Sequence, residues 1–251
     1  MARAEDFDEG YAASLRTERH RVFAGVLGLP QDVEPNSFLT PDVFARLARE
    51  LRIGPGDRLV DLACGRGGPG LLLARMTGAD LVGVDFSRVG VEHAAERAPR
   101  FVPDGRARFV VGDLAATGLD DGCADAVLCI DSFQFAPDFD AAAREAIRIL
   151  RPGGRYVQTN WEPSDPDDPA VPRRLRMLRF ADILRRAGFT GVTVEDRPDL
   201  ADVVTNVFRT ALDTEPAEDD VALQRLRAEA EVVLGWPDSI RRVVVIAERP
   251  R

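Results

Sequence analysis

Gly65, Gly67 and Gly70 in "VDLACGRGGPG" (Val60 to Gly70) have the G-x-G-x-x-G spacing of a nucleotide-binding turn. Glycines there let the backbone pass close to a ligand, and the free amides of a following helix favour polar or anionic groups. Asp85 lies twenty residues after Gly65, at the end of the next apolar run, where a carboxylate accepts hydrogen bonds from two ribose hydroxyls. A nicotinamide or flavin dinucleotide fits these residues, and so do other adenosine ligands.

Asp61 separates the candidates. A carboxylate inside an apolar run, four residues before the first glycine, is costly to bury unless a positive group or several donors meet it. A pyrophosphate repels it, whereas the ammonium at the methionine end of S-adenosylmethionine suits it. The same ligand gives "VVGDL" a role: Asp113 accepts from the exocyclic amine of adenine, and the Leu114 amide donates to the ring.

These residues need a scaffold, and the sequence supplies one. From Arg58 onward, "RLVDLA", "LVGVDF", "ARFVVGD", "ADAVLCI" and "RYVQTN" are apolar on both faces and alternate with helix-like segments, the pattern of a parallel sheet covered on both sides. The intervening helices are expected at Gly68 to Met76, Ser87 to Ala98 and Asp138 to Leu150, the last stopped by "RPGG" and a turn. Before the first strand, a helix is expected over Ser14 to Leu29. A second begins at Pro41 with Thr40 as its N-cap. Past Asn160, "WEPSDPDDPAVP" reads as a loop and as the mobile segment near a ligand. "RRLRMLRFADILRRAG" reads as one amphipathic helix with a solvated arginine face, and "TGVTVEDR" as a strand. Two helices between Leu200 and Leu234 form either a cover or a homodimer contact, and "RRVVVIAE" is a final strand.

Composition narrows the chemistry. The 251 residues carry a net charge of −9, and all 33 basic residues are arginine, so Schiff-base lysines and the lysine of a P-loop are excluded. The acidic balance argues against nucleic acid or an anionic membrane as partner and for a small-molecule substrate. Cys64, Cys123 and Cys129 form neither a disulfide framework nor a zinc pattern, so no metal is expected. The polar first twenty residues and the lack of a long apolar run predict a cytoplasmic, soluble protein.

Val60 to Gly70, Asp85, "GDL" at Gly112 to Leu114 and "ILRPGGRYVQTN" at Ile149 to Asn160 together resemble the motifs of class I S-adenosylmethionine-dependent methyltransferases. "LACGRGG" and the "RPGG" stop resemble most the branch that acts on metabolites and natural products. The resemblance implies a Rossmann-like α/β fold: a seven-stranded, mostly parallel sheet with helices on both faces, its last strand antiparallel. It further implies one domain over residues 1–251, with an N-terminal helical cap (1–53), a cofactor-binding core (54–160) and acceptor-side helices and final strands (161–251). Asp61, Ala63, Gly65, Gly67, Asp85, Phe86, Gly112, Asp113, Leu114 and Ile130 are then the cofactor contacts, with Phe86 packing on adenine and Cys64 serving packing alone.

Methyl transfer is an in-line displacement, so the acceptor side needs alignment and, for some acceptors, a base. "IDSF" does not match the "[DN]-P-P-[YF]" motif of macromolecular N-methylation. Asp131 and His20 are the candidate catalytic groups. Gln134 stands where many relatives carry histidine, and Tyr11, Gln134 and Trp161 are candidate acceptor contacts. His93 reads as a helix-surface residue. Three other readings share parts of this pattern: a cyclisation or rearrangement using the same cofactor, a module that senses the cofactor, and an NAD(P)-dependent oxidoreductase.

Overall fold

In a computed structural model that describes residues 4–13, 18–34, 37–217 and 220–251, the apolar runs become seven strands. These are β1 (Arg58–Leu62), β2 (Asp80–Asp85), β3 (Ala107–Val111), β4 (Ala124–Ile130), β5 (Leu150–Pro163), β6 (Thr190–Asp196) and β7 (Ile240–Glu248). They form one sheet in the order β3-β2-β1-β4-β5-β7-β6, and β7 alone runs antiparallel to its neighbours. The strand order reverses between β1 and β4, so their C-terminal ends part and leave a crevice.

Successive strand residues point to opposite faces. Leu59, Leu81, Leu128 and Val244 join one apolar core, while Val60, Val82, Val127 and Val245 join the other. Helices cover both. On the first face lie α2 (Glu18–Leu27), α3 (Pro41–Leu51), α4 (Gly68–Thr77), α9 (Pro198–Asp213) and α10 (Val221–Val233). On the second, α6 (Phe139–Ile149) and α8 (Phe180–Ala187) contribute Ala142, Ala146, Ile183 and Leu184.

The local signals mostly act as their chemistry requires. Ser87 accepts from the Gly90 amide at the start of α5 (Arg88–Arg97), and Asp138 from the Ala141 amide at the start of α6. Thr40 occupies the N-cap of α3 without a side-chain cap bond. Three expectations are corrected. The polar N-terminus contains a helix, α1 (Ala4–Ala13), whose apolar stripe is little more than Phe7 and Tyr11. The helix expected from Ser14 is described only from Glu18, residues 14–17 lying outside the described set. "RPGG" is not a free turn: it lies within β5, where the pairing with β4 shifts register and Gly153 takes φ 77°.

The third correction concerns "RRLRMLRFADILRRAG", which is not one helix. A single turn, α7 (Arg173–Arg176), is separated from α8 because Glu162, at the end of β5, accepts from the Phe180 amide. Arg174 meanwhile donates to the carbonyls of Gln134 and Ala136. The loop after β5 is tied to the start of β7, with Ser164 donating to the Ser239 carbonyl and Ser239 to Asp168. Among the described residues, no helix is long and apolar enough to cross a membrane.

Candidate active site

At the crevice between β1 and β4 lies a cavity of about 510 Å³, continuous with a smaller one of about 120 Å³ toward β2 and β3. Phe7, Tyr11, Ala63, Ser132 and Phe135 line both. Two wall residues, Ala63 after β1 and Asp131 after β4, hold left-handed backbone angles (φ 55° and 50°), a strained conformation for residues with a Cβ.

The floor is made by the glycine turn. Gly67 caps α4 at φ 79°, which a larger residue resists. Gly70 has a different task. A Cβ there would overlap the Asp61 carboxylate, so the third glycine admits Asp61 rather than a phosphate. Asp61 is buried, accepts from the Gly70 amide, and leaves Oδ2 without a partner. Burial, then the nearby Asp85, pushes its pKa up to about 8. An orphaned acidic oxygen lining this cavity fits an ammonium and opposes a pyrophosphate.

Asp85 ends β2 and lines the smaller cavity with Phe86, Gly112, Asp113 and Leu114. Its carboxylate accepts from the Gly65 amide (2.7 Å) and the Ser87 amide (2.8 Å). Burial raises its pKa to about 6 against the pull of those two donors. Asp113 is held by its own turn, accepting from the Ala115 amide at 2.8 Å. Phe7 of α1 packs against Phe86 and Phe135, with centroids 5.1 and 5.3 Å apart, and so covers this cavity. Asp8 pins α1 by accepting from the Ser87 hydroxyl. A side chain at Gly65, where φ is 50°, would have to displace the Tyr11 ring end.

The residues expected on sequence grounds fall into two groups. Asp61, Ala63, Gly65, Asp85, Phe86, Gly112, Asp113, Leu114 and Ile130 all line the two cavities, as do Tyr11, Asp131, Gln134 and Trp161. Gly67 lies beneath the turn, against Ala94 and Leu71. His20 does not line either cavity. It is buried behind Arg66, with Nε2 3.4 Å from that guanidinium, and burial and then Arg66 lower its pKa to about 4. It is therefore neutral near pH 7 and a weak base. Of the segment "WEPSDPDDPAVP", Trp161 lines the large cavity from within β5, which runs on to Pro163, while Ser164 to Pro172 line neither cavity.

Asp131 sits in the wall with its carboxylate engaged. Thr159 of β5 donates to it (2.7 Å), the Phe38 amide points at it (3.4 Å), and Arg242 of β7, fully buried, pairs with it. Arg242 also lies 4.7 Å from the Trp161 ring, which meets Trp236 edge-on. Gln134 donates to the Asp131 carbonyl and keeps its Oε1 unpartnered.

Several wall residues escaped the sequence reading: Phe7, Arg19, Glu34, Ser37, Phe38, and a stripe on α10 comprising Ala222, Arg225, Leu226 and Glu229. That stripe follows i, i+3, i+4, i+7 spacing and was a findable signal, but it is equally the signature of any packed helix. Arg242 is the second of two arginines that open the apolar run of β7, so nothing in the sequence marked it as buried.

The comparisons agree with this geometry. Residues 60–158 match a family model described as a methyltransferase domain. The 27-O-demethylrifamycin SV methyltransferase of Amycolatopsis mediterranei is 30% identical over 227 residues, 82% of each chain. The chain belongs to the class I S-adenosylmethionine-dependent methyltransferases. Squalene methyltransferase 1 of Botryococcus braunii is 30% identical over 53% of this chain; the match covers 35% of that protein, so the chain spans about a third of the length of the first curated relatives it matches. Among solved structures, the [4+2]-cyclase SpnF superposes with TM-score 0.69 at 23% identity, covering 83% of this chain and 80% of that one. That likeness concerns the fold.

S-adenosylmethionine is the family's cofactor, and the residues present fit it. Asp61 would take its ammonium, Asp85 its ribose, and Phe86, Asp113 and Leu114 its adenine.

Proposed function

We propose that this methyltransferase, folded as one domain, transfers a methyl group from S-adenosylmethionine to a small organic acceptor held beneath α1, α2 and α10. The carrying observation is the buried, unpartnered Oδ2 of Asp61 at the floor of a cavity that continues into the Asp85–Asp113 pocket. When bound, the cofactor supplies a methyl carbon made electrophilic by its sulfonium. The chain's residues do the rest: Asp61 and Asp85 hold the ends that do not react, Phe7 and Tyr11 exclude water, and the aromatic wall orients the acceptor.

A concave cavity of about 510 Å³ supports a small molecule as acceptor, and the rifamycin-named relative supports one among metabolites and natural products. The cyclisation and oxidoreductase readings are not favoured, since the curated relatives are methyltransferases and Asp61 opposes a dinucleotide. A cytoplasmic location belongs to the same proposal. The inner stripe of α10 lines the cavity, which supports the reading of the final helices as a cover.

Calorimetric titration with S-adenosylhomocysteine and, separately, with NADH tests the reading. Binding of the first alone is expected, followed by methylated products of metabolite acceptors in mass spectrometry. Binding of NADH alone overturns it.

A further inference from the structure

Arg97, the last residue of α5, is buried and lines neither cavity, yet its guanidinium joins two separate parts of the site. Nη1 donates to the carbonyl of Arg66 in the glycine turn (2.5 Å), and Nη2 to the carbonyls of Asp32 and Val33 (2.8 and 2.7 Å). Its Nε lies 3.7 Å from the Glu34 carboxylate, which pairs with the Arg66 guanidinium. Residues 32–34 are thereby seated on the first turn of α4, where the Val33 carbonyl comes within 2.6 Å of the place a Cβ of Gly68 would take. Glu34 itself is held at φ 45°, a strained angle for a residue with a Cβ.

We propose that Arg97 is a positioning residue for cofactor binding, clamping residues 32–34 onto the glycine turn and so fixing Arg66 and Glu34 beside the methionine end. The proposal rests on the methyltransferase reading and deepens it. Arg66 and Glu34 line the large cavity together with Asp61, and neither lines the smaller one assigned to adenosine. Arg66 is also the only charged residue between Gly65 and Gly70. The cofactor carries a carboxylate on the same carbon as the ammonium that Asp61 takes, so its methionine end calls for a cation, and Arg66 is the cation that the turn supplies. Arg97 thus governs one end of the ligand. A lysine in its place keeps the charge but not the planar fork that spans three carbonyls.

The test compares full-length wild type with Arg97→Lys and Gly68→Ala by calorimetry, using S-adenosylhomocysteine and 5′-methylthioadenosine, which lacks the amino-acid end. Gly68→Ala leaves Arg97 in place and drives a methyl group against the Val33 carbonyl, lifting the clamped segment. Both variants are expected to bind S-adenosylhomocysteine about tenfold or more weakly, with 5′-methylthioadenosine affinity held within about twofold. The ratio of the two affinities is the readout that a general loss of stability does not move.

Equal weakening toward both ligands, or unchanged affinity for S-adenosylhomocysteine in either folded variant, overturns the assignment. If Arg97→Lys yields no folded protein, Gly68→Ala decides by the same criteria. A wild type that binds S-adenosylhomocysteine but not 5′-methylthioadenosine overturns the division of the cofactor between the cavities, and the role of Arg97 with it. A wild type that binds neither overturns the methyltransferase reading as well.

Discussion

The floor and the roof of the cavity are built in opposite ways. The floor comes from three consecutive strand ends: Asp61 with Gly65 to Gly70, Asp85, and Gly112 to Leu114. Its polar groups are set largely by backbone amides, as where Gly65 and Ser87 hold Asp85. The roof and far wall gather side chains from Phe7 to Glu229, and charge pairs such as Arg66–Glu34 and the buried Arg242–Asp131 fix them. A backbone-built site repeats wherever its short motif repeats. A side-chain-built one is free to change with the acceptor.

The largest effect that separates the halves is expected from Arg242→Met. Removing one partner of a buried pair leaves the Asp131 carboxylate uncompensated, a cost of about 3–5 kcal/mol, which chemical denaturation will read as a lowered midpoint. S-adenosylhomocysteine affinity should move less than it does in Asp61→Asn. An equal fall in both variants would mean that floor and wall are not separable.

Asp61→Asn comes next. It keeps an acceptor for the Gly70 amide and loses the charge, so S-adenosylhomocysteine should bind about ten- to a hundredfold more weakly by calorimetry. Unchanged affinity would remove the basis for assigning the ammonium to Asp61.

The smallest effect is a pH slope. With its pKa held up to about 8, Asp61 is largely protonated near neutrality, and a neighbouring ammonium favours the ionised form. Binding then releases a proton. Affinity should rise with pH, by at most about tenfold per unit, and level off above about 8. Without ligand the sign is opposite: the folded pKa exceeds the ordinary 3.8, so this residue's contribution to stability is full in acid and is lost as pH rises through about 8. Asp61→Asn should flatten both trends, and a slope that survives in the variant would assign the titration to another group.

The same division governs what the sequence made legible. Asp61, the glycines and Asp85 were readable because a buried charge and a tight turn each leave a local mark: an acid among valines, or a glycine where a Cβ has no room. The seven strands and most helix limits were legible for the same reason, since short apolar runs and helix starts such as Ser87 and Asp138 act within a few residues. His20 was misplaced because its place is set by Arg66, 46 residues further on, and the lining stripe of α10 was missed because it depends on which helix face meets the cavity. The break between α7 and α8 was hidden too, since it depends on Glu162 reaching the Phe180 amide. Residue spacing carries no record of such distant contacts.

Placing β7 between β5 and β6 has a consequence for the order of synthesis. Every floor residue is made before residue 115, and β1 to β4 can pair as they emerge. Arg242 arrives more than a hundred residues after the Asp131 it neutralises, on a strand that must insert between two others already made. Until then the acceptor wall carries a bare acid, and β5 and β6 expose unpaired edges. The nascent chain therefore has its cofactor floor before it has a wall against which to hold an acceptor.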